Sequence, residues 1–149
     1  MAVLQFAQKA FIEHEGALLL VRKSADDPER PGLWEVPGGR MEFGEELDAH
    51  LKREVAEEVG IDVDPGQAFA IWEWKMNGRR ATEGQQVQVV AVARVCTPRS
   101  TELSAVGRLA DDYLDDAEWV PVDEVLQRQL IPSLIPVVEA FLQQRSPGA

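Results

Sequence analysis

The stretch Gly39–Ile61, "GRMEFGEELDAHLKREVAEEVGI", decides how the rest of the chain is read. From Glu45 to Val59, the residues Leu47, Leu51, Val55 and Val59 recur every fourth position and form one apolar helical stripe. Gly60 follows at the position just past the helix end, where positive φ is easily reached. The same helix carries Glu54, Glu57 and Glu58. On a helical wheel with Leu47 at zero, the stripe runs through about 40°, 80° and 120°. Glu54 falls at about 340°, Glu57 at about 280° and Glu58 at about 20°. Glu58 thus lies within the apolar arc and Glu54 at its edge. A merely solvated acidic face explains that placement poorly, because a carboxylate turned toward a core is costly unless something neutralises it. Glu54 and Glu58 are also like charges one turn apart, which costs a few tenths of a kcal/mol.

A cation would relieve both costs. The expected ligands are all oxygens, with no His or Cys close by, and hard divalent ions prefer oxygen. The cluster therefore predicts a Mg²⁺ or Mn²⁺ platform beside a phosphate site. Arg53 can orient a carboxylate through a fork-shaped hydrogen bond, or form an ordinary surface ion pair.

Working outward, "KAFIEHEGALLLVRK" reads as a β-hairpin turning at Gly16. "SADDPERPG" is a loop, and "LWEVPGG" a short strand broken by Pro37, Gly38 and Gly39. Beyond the helix, "QAFAIWEWKM" and the alternating "QQVQVVAVARVC" predict two strands, paired antiparallel across a turn at Asn77 and Gly78. "PRSTELSAVGRLADDYLDD" reads as irregular, "AEWVPV" as a strand, and "VDEVLQRQL" as the start of a helix capped by Asp123. "LIPSLIPVVEAFLQQR" predicts a last helix with Pro136 in its first turn. The expectation is a single α/β domain over residues 1–149 with a mixed sheet.

Bulk properties restrict the partners. The 149 residues suit one domain. A net charge of −11 argues against a nucleic-acid polymer or an anionic membrane as partner. An anionic small substrate would need local Lys, Arg or a metal ion. The lone Cys96 cannot form an internal disulfide and reads as a small apolar residue ending a strand. No secretory signal is visible, and the longest aliphatic run is too short to span a bilayer. A cytoplasmic location is the expectation.

The spacing Gly39, five residues, Glu45, seven residues, then Arg53-Glu54-Val55-Ala56-Glu57-Glu58-Val59-Gly60-Ile61 resembles the Nudix box, G-x5-E-x7-R-E-U-x-E-E-x-G-U with U aliphatic. Every defined position is filled. The resemblance implies an α/β/α sandwich around a mixed sheet. It implies an enzyme that cleaves a diphosphate linkage in a nucleotide with Mg²⁺ or Mn²⁺. It implies Glu57 and Glu58 as metal ligands, Glu54 as a further ligand or the general base, the Gly38 carbonyl as a backbone ligand, and Arg53 as their orienting group. Glu45 would support the loop–helix junction, and Gly39 and Gly60 would serve turn geometry. Lys23, with Arg22 as alternate, resembles a phosphate-contacting position. A further acidic ligand is expected from Asp112, Asp115, Asp116 or Glu118. A homodimer is a further expectation from relatives.

The substrate is less legible. The proline and tyrosine that mark the ADP-ribose and diadenosine polyphosphate branches are missing around Met76, and the only Tyr is Tyr113. The asparagine with which the MutT-type branch reads oxidised guanine is missing before the last helix, since the only Asn is Asn77. Trp34, Trp72 and Trp74 could stack a base or pack in the core, and Arg79 and Arg80 could touch phosphate or face water. A nucleoside triphosphate or modified nucleotide is the leading expectation. ADP-ribose or another nucleotide sugar is the alternative, and a non-catalytic nucleotide sensor a third reading.

Overall fold

A computed structural model describes residues 2–76 and 86–145. The strands are β1 (Ala2–His14), β2 (Ala17–Lys23), β3 (Trp34–Glu35), β4 (Gly38–Arg40), β5 (Val63–Met76), β6 (Gln86–Pro98) and β7 (Leu114–Pro121). The α-helices among the described residues are α1 (Leu47–Val59) and α2 (Ile135–Gln144). The strands form one mixed sheet in the order β3-β2-β1-β6-β5, with β4 on β1 and β7 on β2. β1 runs parallel to β6 along almost its whole length, from Ala2↔Gln86 to Ile12↔Cys96. Its last residues instead pair antiparallel with β2, at Glu13↔Leu18 and His14↔Ala17. The hairpin expected at Gly16 is therefore real but short. Its two-residue loop, Glu15 at φ 49 and Gly16 at φ 76, has positive φ at both positions, the backbone that matches strand twist in tight hairpins.

Both faces of the sheet are covered. Phe11, Leu18 and Leu20 pack toward Val137, Val138 and Phe141 of α2. The alternate residues Ala10, Ile12, Leu19 and Val21 pack toward Leu51, Val55 and Val59 of α1. Strands buried on two faces read as continuous apolar runs, which is why "AFI" and "ALLLV" show no polar alternation. The α/β/α arrangement expected from the sequence is the arrangement observed. Cys96 is buried, and burial pushes its thiol up to about 11, so it acts as a small apolar residue.

Three expectations need correction. Leu47 is 52% exposed, because it begins α1 where the helix has not yet reached the sheet. His50, one turn before Glu54, is fully buried instead. No α-helix starts at Asp123; a single 3₁₀ turn forms there instead, at Val125–Gln127. There the backbone is drawn to β3, with Trp34 N–H donating to Gln129 O at 2.8 Å and Ile131 N–H to Trp34 O at 3.0 Å. Burial of Leu130 and Ile131 through that bridge outweighs local helix propensity. Finally, β7 begins at Leu114, so Asp115 and Asp116 lie on a strand and not in a loop.

Candidate active site

The cluster is built where the loop after β4 enters α1. Glu58 is 6% exposed and Glu54 8%, as the helical wheel required. Glu58 Oε1 accepts a hydrogen bond from Gly38 N–H at 3.0 Å. β4 lies so close to the helix that a Cβ on Gly39 would sit 2.7 Å from Glu54 Oε2. A side chain there would push the Glu54 carboxylate out of place. Gly60 ends the helix at φ 74 and donates to Ala56 O at 3.0 Å. Arg108 Nε then takes the Glu58 carbonyl at 2.7 Å, which pins the last turn.

Arg53 is the organiser. Its Nε and Nη2 reach the two oxygens of Glu45 at 2.7 and 2.9 Å. Its Nη1 donates to Glu57 Oε1 at 3.1 Å, and Nη2 lies 3.4 Å from Glu54 Oε1. One guanidinium thus holds three carboxylates, a geometry that lysine could not reproduce. Glu45 also accepts from Glu42 N–H at 2.8 Å, so it ties the loop to the helix. The hydrogen bonds from Arg53 and from Glu42 N–H hold the Glu45 carboxyl down to about 2.

Burial dominates the other two glutamates. It pushes Glu54 up to about 7 against the attraction of Arg53 and Lys9, and Glu58 up to about 8 against Lys9. Sequence reasoning named Arg53 and Lys23 but missed Lys9 and Glu35. Lys9 Nζ lies 2.6 Å from Glu35 Oε1 and 3.3 Å from Gly38 O. Lys23 Nζ meets the other Glu35 oxygen at 3.1 Å. Burial opposes ionisation of Glu35, yet these two ammonium groups win and hold it down to about 2. The signal available was Lys9 itself, a lone cation among apolar residues of a buried strand. His50 was missed as well. Its Nδ1 contacts Gln8 Nε2 at 2.8 Å, and its Nε2 is buried without a hydrogen-bond partner, 3.9 Å from Glu54 Oε1. A histidine therefore does lie beside the carboxylates.

The cluster opens into a cleft of about 410 Å³, a size typical of small-molecule sites. Lys9, Lys23, the box glutamates, Trp72, Trp74 and Met76 all line it. The two indoles stand on one face of β5, with ring centroids 6.2 Å apart. The family model for the NUDIX domain matches residues 6–141. The chain belongs to the Nudix family. It is similar to the CTP pyrophosphohydrolase of Escherichia coli (strain K12), with 30% identity over 137 residues, 92% of this chain and 90% of that protein. It is also similar to the nucleoside triphosphatase NudI of Escherichia fergusonii, with 27% identity over 123 residues, 80% of this chain and 83% of that one. The MutT protein of Methanosarcina mazei Go1 shares the fold, with a TM-score of 0.73 and 23% identity over 95% of this chain and 94% of that chain. The chain is accordingly a Nudix hydrolase, and Nudix hydrolases generally use divalent metal ions.

The Nudix frame brings some of the expected residues together and not others. Lys23 faces the cleft, where its Nζ also donates to Asp112 O at 3.2 Å. Arg22 points away, 2.8 Å from Asp115 Oδ1 and over the Trp34 ring at 5.6 Å. Trp34 is 8% exposed and belongs to the core beneath α2, between Arg22 and Arg128, so it does not line the cleft. Adjacent strand residues face opposite sides, which separates Arg22 from Lys23. Of the four acidic candidates, Asp112 lines the cleft, and its Oδ2 accepts from Leu109 N–H at 2.8 Å. Asp115 holds Arg22, Asp116 accepts from Ala117 N–H, and Glu118 pairs with Arg128. Asn77, Gly78, Arg79 and Arg80 lie outside the described residues.

Among the described residues, no three His, Cys, Asp or Glu side chains converge as a preformed metal cage. Arg53 and the Gly38 amide hold the glutamates apart. The donor chemistry nonetheless fits a hard divalent cation. Glu54, Glu57 and Glu58 offer only oxygens, and burial makes two of them costly to ionise, a cost that a cation would remove. Among the described residues no helix is long and apolar enough to cross a membrane.

Proposed function

We propose that this Nudix hydrolase cleaves a diphosphate linkage within a nucleoside triphosphate or a modified nucleotide, with Mg²⁺ or Mn²⁺ held by Glu54, Glu57 and Glu58. The observation that carries the reading is the juxtaposition of two buried, costly glutamates with a nucleotide-sized cleft walled by Trp72 and Trp74. The similar CTP pyrophosphohydrolase and nucleoside triphosphatase support the substrate class. A bound divalent cation neutralises charge developing on the diphosphate oxygens and lowers the pKa of bound water. Arg53 keeps the carboxylates in register for that cation. Without a cation, burial holds Glu54 up to about 7; in the loaded site it serves either as a ligand or as the general base for water. Lys23 supplies a positive charge facing the substrate phosphates, and the paired indoles offer flat apolar faces to a base.

Product analysis tests the reading. A panel of nucleoside triphosphates with Mg²⁺ is expected to yield monophosphate and pyrophosphate. Turnover of ADP-ribose to two monophosphates, with every triphosphate left intact, would transfer the activity to nucleotide sugars.

A second prediction concerns pH. Unfolded, Glu54 and Glu58 titrate near about 4.3. Folded and metal-free, they keep their protons up to about 7 and about 8. Their contribution to stability is therefore complete below about 4.3 and is lost as pH rises through the two folded values. Glu35 has the opposite sign, and its contribution is lost only below about 4.3, as pH falls toward about 2. In chelator, Tm is expected to fall by several degrees between pH 5 and pH 9, and saturating Mg²⁺ to flatten the curve. A Tm equally flat with and without Mg²⁺ would count against a cation on these glutamates.

A further inference from the structure

We propose that Lys9 acts as a tethered cation in the Nudix site: its ammonium group holds the Gly38 carbonyl and keeps a divalent cation off that oxygen. The inference rests on the reading of Glu54, Glu57 and Glu58 as cation ligands and changes what the backbone contributes to it. Three observations support it. Lys9 Nζ lies 3.3 Å from Gly38 O and is anchored from behind by Glu35 at 2.6 Å. The Lys9 stem packs on the same glycine, whose absent Cβ would sit 3.0 Å from Lys9 Cδ. Both backbone polar groups of Gly38 are engaged, since its N–H donates to Glu58 at 3.0 Å. The carbonyl expected to coordinate metal thus already faces a positive charge. Lys9 is only 9% exposed, so its ammonium group cannot swing out to water without losing Glu35. A metal ion on Gly38 O would stand within a few ångströms of that ammonium, and repulsion at such range in a half-buried site is strong. Cations are therefore confined to the glutamate oxygens, and Lys9 supplies the charge at the Gly38 carbonyl.

The arrangement can be tested without turnover. Lys9→Met keeps the stem and removes the charge, and Lys23 at 3.1 Å continues to balance Glu35. Mn²⁺ binding would be counted by electron paramagnetic resonance in the absence of nucleotide, for the native chain, Lys9→Met and Lys9→Arg. The expected result is one additional Mn²⁺ per chain in Lys9→Met, with Lys9→Arg equal to native. Mn²⁺ bound in equal number by native and Lys9→Met overturns the role of Lys9 alone, as does a gain in Lys9→Arg. No Mn²⁺ bound by any of the three overturns the metal reading together with it. Should Lys9→Met fail to fold, a crystal structure of the native chain in Mn²⁺ decides. An anomalous peak bonded to Gly38 O refutes the proposal; Lys9 Nζ retained on that oxygen, with Mn²⁺ on the glutamates, supports it.

Discussion

Glu58→Gln is expected to lower hydrolysis by about a thousandfold, the scale seen when a group that stabilises transition-state charge is removed. The same substitution is expected to stabilise the metal-free protein at high pH. Glu58 is buried, and burial holds its carboxyl up to about 8, so its charged form opposes folding above that pH. Gln carries no charge there, and its amide oxygen can still accept the Gly38 N–H that now bonds Glu58. The gain should be on the order of a few kcal/mol at pH 9 in chelator. Activity and stability would thus move in opposite directions, which distinguishes a ligand from a structural residue. A variant with near-native turnover in Mg²⁺ would remove Glu58 from the machinery. Assays of rate and thermal unfolding on one preparation suffice to read both effects.

Gly38→Ala is expected to cost about 3 kcal/mol or more of stability, a size associated with backbone strain and overpacking. Gly38 sits at φ 140, a region that L side chains rarely adopt. An added Cβ would lie 2.2 Å from Gln8 O and 2.8 Å from Lys9 Cα. Both are backbone atoms of β1, and β4 is hydrogen-bonded to that strand at Lys9↔Gly38. Neither atom can yield without parting the two strands. Denaturant unfolding should show the loss as a lower midpoint, and a midpoint within error of the native chain would contradict the steric reading. Gly39→Ala makes an informative contrast, because its Cβ would meet the Glu54 carboxylate and not backbone. A side chain can move, so that variant should lose activity more than stability.

Legibility followed the range of the interactions involved. α1 could be read because its stripe and its terminal glycine are local signals. The burial of Glu54 and Glu58 could be read because the helical wheel fixes their angle to that stripe whatever covers it. Leu47 misled because periodicity cannot say where along a helix the sheet begins. The helix expected after Asp123 misled because the competing partner, Trp34, is remote in sequence. Arg22 and Trp34 were drawn toward the site by their nearness in sequence to Lys23 and the box. Strand alternation and the core beneath α2 take them elsewhere. Lys9, Glu35 and His50 escaped notice because their role comes only from meeting the box across the fold.

From the sequence alone, then, follow the Nudix box, its helix, the order of most strands along the chain and the chemistry of a cluster of carboxylates. Each of these depends on spacing along one segment, where backbone periodicity alone sets geometry. Tertiary structure decided which cations face those carboxylates, which tryptophans wall the cleft, and that Asp112 lines it while Asp115, Asp116 and Glu118 do not. Such pairings join strands and loops far apart in the chain. Electrostatic energy depends on distance and burial in space, and neither is defined until the sheet has closed around both helices.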